Sequence, residues 1–154
     1  MRIAFISAAV MAAGFAAPAP AQDLTWRQDI QPLIQKQCGA CHGAGQPEYA
    51  EWIVLREKDK NLAARMDTYA HFMNYVVWPA TGALQRRLDD GKGAGGKPGN
   101  MHRFLGSTDE ERSANLQKIK AWLGDGAWNL NRWEARGGAA GITKEQLDKV
   151  KAKY

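Results

Sequence analysis

The chain has only two cysteines, and both fall within one stretch of five residues. No structural disulfide elsewhere competes for either thiol. Long apolar runs are missing after residue 21, so no later segment reaches the ~20 residues that span a bilayer. Strand-like alternation is missing too, which removes the βαβ setting that a thioredoxin-like dithiol requires. There are no internal repeats. Basic residues exceed acidic ones by only 21 to 16, a net charge of +5. No basic cluster sits on a recognisable module, which excludes nucleic acid as a partner. The mild positive charge permits an acidic protein partner without requiring one.

The N-terminus is built for export. Arg2 gives a short positive start, an apolar run follows from Ile3 to Ala17, and Ala19-Pro20-Ala21 supplies a small-residue cleavage signal. Residues 1–21 are therefore expected to be a cleaved secretory signal peptide, with the mature chain beginning at Gln22. The product is expected to be soluble, periplasmic and monomeric. The remaining length suits one domain.

The two cysteines stand in Cys38-Gly39-Ala40-Cys41-His42. This C-x-x-C-H order is a c-type haem attachment pattern. Thiols three residues apart can each form a thioether to one of the two vinyl groups of one porphyrin, and the adjoining imidazole then binds the iron. A zinc site usually takes four protein ligands, and these three residues are too crowded to be three of them. The expected cofactor is one haem c, covalently attached through Cys38 and Cys41. His42 is the first axial ligand, and its other ring nitrogen should donate to a carbonyl, here expected from the backbone near Pro47.

Helical periodicity surrounds the motif. Trp26, Ile30, Leu33 and Ile34 share one face, and Pro32 fits the start of a short helix. Gly43, Gly45 and Pro47 end it. Tyr49 to Lys60 is ambiguous. Leu62, Met66, Tyr69, Ala70, Met73, Val76 and Val77 form a stripe that predicts a helix over 62–77, closed by Pro79. A short helix is expected over 83–88. Residues 91–100 hold five glycines and a proline, which predicts a loop. Ser107 or Thr108 caps the next helix, whose acidic first residues suit its dipole and which Gly124 ends. Thr143 caps a last helix expected over 144–153.

A second axial ligand has five candidates: Met66, Met73, Met101, His71 and His102. Met101 is preferred, because the glycine-rich loop that it follows can wrap around a haem edge. Met66 and Met73 fall on the apolar stripe of a regular helix, where methionine is ordinarily core packing. His71 is expected to face solvent. His102, beside Met101, is the rival. Several of the six tryptophans and four tyrosines are expected to pack on the haem or donate to its propionates.

The attachment motif, the helix before it, the loop ending in Met101 and the helix after it make the chain resemble a class I c-type cytochrome from about Trp26 to Leu123. The resemblance implies an all-α fold: a cytochrome c-like domain over 22–124 around one covalent haem, followed by a C-terminal extension over 125–154 ending in a short helix. It also implies that Ile30, Leu33 and Ile34 meet Leu116, Ile119 and Leu123, and that the haem edge is open to electron exchange. The loop reads Gly-Asn-Met-His where many relatives have Met-Pro. The leading expectation is an electron carrier with His42/Met101 ligation, serving an unidentified redox donor and acceptor. Two rivals are a peroxidase-like or small-ligand-binding haem protein with a labile sixth position, and a cytochrome subunit of a larger oxidoreductase.

Overall fold

A computed structural model describes residues 23–92, 96–124, 126–130 and 142–154. The expected signal peptide lies outside them. Among the described residues every regular element is helical, and no helix is long and apolar enough to cross a membrane.

The chain enters through a π-helical turn, Trp26–Ile30, capped by Thr25. The Thr25 hydroxyl accepts from the Gln28 amide at 3.2 Å, and the Thr25 amide donates to Asp29 at 2.8 Å. The turn runs directly into helix α1, Gln31–His42, with Pro32 in its first turn, where its missing amide hydrogen costs nothing. The helix continues through the whole C-x-x-C-H motif and stops at Gly43. Helices α2 (Tyr49–Leu55), α3 (Tyr69–Met73), α4 (Ala83–Leu88), α5 (Asp109–Leu123) and α6 (Lys144–Leu147) follow.

Helix α5 is the spine. The Thr108 hydroxyl accepts from the Glu111 amide at 3.1 Å, and three acidic residues occupy the first turn. Leu116, Ile119, Trp122 and Leu123 are buried at helical spacing. They share one core with Trp26, Ile30, Leu33 and Ile34, as the resemblance implies. Helix α5 is met more by the π-helical turn than by the body of α1. Trp26, Tyr69, Phe72 and Trp122 form an aromatic cluster with ring centroids 5.2–6.2 Å apart.

Two helical expectations fail. Residues 62–67 are irregular, and α3 begins only at Tyr69, after the Thr68 cap. Their amides are used in tertiary bonds instead: Arg65 N–H donates to the Pro47 carbonyl at 3.2 Å and Met66 N–H to the His42 carbonyl at 2.9 Å. The last helix ends at Leu147 rather than at Lys153, although Thr143 and Gln146 form a full capping box. From Lys149 the chain runs back along α5. Lys151 and Ala152 amides donate to the carbonyls of Leu123 and Trp122 at 2.8 and 3.0 Å, supplying donors at the end of a helix that lacks them. The Lys153 carbonyl accepts from the Trp26 amide and from the Trp122 indole, both at 2.8 Å. The final residues thus tie the first turn to the spine.

Candidate haem-binding site

Cys38, Cys41 and His42 occupy the last turns of α1. Positions three and four apart share a helix face, so both thiols and the imidazole project to one side. The thiols are free; Cys38 is half-buried and Cys41 exposed. Burial, and then the proximity of Cys41, push the Cys38 thiol up to about 11. A redox-active dithiol needs the opposite shift. Among the described residues no group of three or more His, Cys, Asp or Glu side chains could hold a bare metal ion.

His42 is held by one strong contact. Its Nδ1 lies 2.6 Å from the Ala64 carbonyl, which makes Nδ1 the protonated donor and leaves the Nε2 lone pair available. The expected partner near Pro47 is therefore replaced by Ala64. Pro47 contributes one step away, because its carbonyl accepts from Arg65 and fixes the loop that carries Ala64. The irregular backbone at 62–67 is what brings that carbonyl to the imidazole. Arg65 and Asp67 brace the same loop with N–O distances of 2.7 and 3.2 Å, and the guanidinium holds the Asp67 carboxyl below its usual range. A cleft of about 330 Å³ opens on the flank of His42, lined by Ile34, Gly39, Gly43 and Asp67 among others. Neither thiol lines it.

The loop expected over 91–100 is confirmed at its described ends. Gly91 and Gly96 both have φ of +83°, which favours glycine. Gly99 is required for a different reason. A Cβ there would sit 2.3 Å from the carbonyl oxygens of Arg86 and Arg87, so the loop lies directly on the end of α4. The Met101 amide donates to the Arg87 carbonyl at 2.9 Å. Met101 is half-buried and packs on the core, and so do Met66 and Met73. His71 is not the solvent-facing residue expected. Its side chain is 16% exposed, with Nδ1 2.8 Å from the Thr68 hydroxyl and Nε2 3.6 Å from Glu48. The Nδ1 of His102 donates to the Leu88 carbonyl at 3.0 Å.

Tyr75 adds a feature that periodicity does not reveal. Its hydroxyl is buried and has no hydrogen-bond partner among the described residues. Burial, and then Tyr49, push its phenol up to about 12. A buried, protonated and unsatisfied donor fits a protein that receives a group bearing carboxylates. With the available Nε2 of His42 and two free thiols on the same helix face, the donor set suits haem c.

None of the curated proteins matches the chain. Among solved structures it is similar to the monohaem cytochrome PccH from Geobacter sulfurreducens. The two are 47% identical, the match covers 86% of this chain and 99% of that one, and the TM-score is 0.71. The family described as PccH cytochrome c matches residues 25–154, a span that takes in the haem motif, the Met101 loop and the C-terminal segment alike. This protein therefore belongs to the PccH cytochrome c family and is a small monohaem electron carrier.

Proposed function

We propose that the protein carries one electron in the periplasm on a single haem c, joined by thioethers to Cys38 and Cys41 and ligated axially by His42 and Met101. The group, when bound, supplies an iron that cycles between two oxidation states. The chain does the rest. The single observation that carries the reading is the contact between His42 Nδ1 and Ala64. It fixes tautomer and ring orientation, and it leaves Nε2 uncommitted on the helix that carries both thiols. Tyr75 offers its hydroxyl to a propionate. Met66 is tied through its amide to the backbone of His42 itself. Met101 comes from a separate loop, seated on the end of α4, and would complete the ligation from there. A donor and an acceptor protein exchange electrons with a monomeric carrier.

Mass spectrometry tests the attachment. The exported protein made with functional maturation machinery should have the mass of the processed chain plus one haem. The mass of the bare chain with both thiols intact would overturn the reading. Absorption spectra test the ligation. The oxidised protein should show the thioether-to-iron charge-transfer band, and Met101→Ala should lose it and bind imidazole.

His102 supports a second reading, because its Nδ1 bond to the Leu88 carbonyl repeats the arrangement seen at His42. A bis-histidine carrier would keep its spectrum in Met101→Ala and change it in His102→Ala.

A further inference from the structure

The region after α5 has no evident task in a carrier, yet it grips the base of the Met101 loop. We infer that Asp89 and Trp128 form a clasp that holds Met101 in place, and that Asp89 is a positioning residue for the sixth ligand. The inference rests on the ligand assignment proposed above.

Three consecutive carbonyls at the end of α4 receive the loop. Arg87 accepts from the Met101 amide at 2.9 Å, Leu88 from His102 Nδ1 at 3.0 Å, and Asp89 from the Gly99 amide at 2.8 Å. These are carbonyls that a helix end leaves without internal partners. The position of residues 99–102 is therefore set by the position of this one turn. The side chain of Asp89 in turn fixes the turn. Its residue is 4% exposed. One oxygen accepts from the Gly91 amide at 2.8 Å, and the other accepts from the Trp128 indole at 2.9 Å. One turn earlier on α4, buried Gln85 donates to the Ala127 carbonyl at 3.2 Å. Trp128 is itself held by Lys120 of α5, whose ammonium lies 4.9 Å from the ring centroid.

The chain of contacts runs from α5 through Trp128 and Asp89 to the peptide that seats Met101. A buried acid that served stability alone would need its partners anywhere in the fold. This one joins the turn holding the ligand loop to the segment after the spine. Releasing the indole bond should let the loop leave the iron more often, while Met101 itself is unchanged.

The test uses the oxidised holoprotein with imidazole as the competing ligand. Trp128→Phe removes the donor and keeps most of the ring. Trp122→Phe, the control, removes an indole bond of similar length to Lys153, away from the loop. Losing a hydrogen bond to a buried carboxyl should tighten apparent imidazole binding about tenfold in Trp128→Phe, because opening of the loop precedes binding. Trp122→Phe should stay within about twofold of wild type. Equal behaviour of the two variants overturns the clasp. Should Trp128→Phe fail to fold, Asp89→Asn carries the test, with the same tightening expected and wild-type affinity overturning it. In a Met101→Ala background Trp128→Phe should add nothing. A Met101→Ala variant that keeps the charge-transfer band and wild-type imidazole affinity sinks the ligand assignment and the clasp with it. A variant that loses the band while Trp128→Phe matches the control sinks the clasp alone.

Discussion

Single residues decide how this site is held, and the most sensitive is one without a side chain. Gly99 lies against the carbonyls of Arg86 and Arg87 so closely that a methyl group has no room. Gly99→Ala must push the loop off α4 and carry Met101 with it. Overpacking of this kind costs about 1–3 kcal/mol. The oxidised variant should lose the thioether charge-transfer band and bind azide, which absorption titration would show. A wild-type spectrum would mean that the loop accommodates the methyl elsewhere. Arg65 gives a second prediction, with a sign. Its hydrogen bond lowers the Asp67 carboxyl. A folded-state value below the unfolded one stabilises the protein above pH about 4 and is lost as pH falls through the folded value. Arg65→Gln should therefore be less stable than wild type at pH 7, with the gap narrowing by pH 3. Urea midpoints at the two pH values would decide it; a constant gap would mean that the guanidinium acts by packing.

Residue identity made part of this site legible. Cys38, Cys41 and His42 announce themselves because their chemistry resides in side chains at a fixed spacing. Ala64 does not, since it acts through a backbone carbonyl that any residue could supply. Asp89 had a faint signal, an acid two residues before Gly91, which is the pattern of a side chain accepting from the second amide onward. Its link to Trp128 spans 39 residues, and no local pattern encodes that.

At the scale of elements, caps and glycines were readable and periodic stripes were less so. Thr108, Thr143 and Gly124 all mark the boundaries expected of them. The stripe from Leu62 to Val77 misled because spacing reports which residues are buried, not what their amides donate to. Arg65 and Met66 donate across to Pro47 and His42, and the helix starts where Thr68 can cap it by accepting from the His71 amide. The end of α6 misled for the same reason, with the terminal carbonyls of α5 taking the amides of Lys151 and Ala152. The cap of α5 offers a direct test. Thr108→Ala removes the acceptor for the Glu111 amide and should cost about 1 kcal/mol in chemical denaturation. The neighbouring Glu111 also receives the Ser107 amide at 2.8 Å and meets Lys36 and Gln37 of α1 at 3.2 and 3.1 Å. A loss well beyond that of a cap would show that the α1–α5 junction had loosened too. The haem spectrum should be unaffected, because the Thr108 hydroxyl serves the first turn of α5.

Over the whole molecule, the order of the chain matters less than its closure. The segment read as an extension carries ties that reach far back along the chain. Trp128 reaches back to α4, and residues 151–154 reach back to the entrance of α1. Ala152 is 3% exposed, and its carbonyl accepts from the Tyr69 hydroxyl at 2.9 Å. Tyr154 covers this seam, with its ring 5.3 Å from that of Tyr69 and its hydroxyl 3.0 Å from Arg27. A chain ending at Val150 would lose the Lys151 and Ala152 bonds to α5, both bonds to the Lys153 carbonyl and the Tyr69 bond. At about 1 kcal/mol each, the total is about 3–5 kcal/mol, a large share of the 5–15 kcal/mol that holds a typical domain together. The truncated holoprotein should unfold at clearly lower urea concentration, in one transition, with hydrogen exchange accelerated at Trp26 and along the last turn of α5. A loss under 1 kcal/mol, or faster exchange confined to residues 142–150, would show that the C-terminal segment is a passenger on the cytochrome rather than one of its walls.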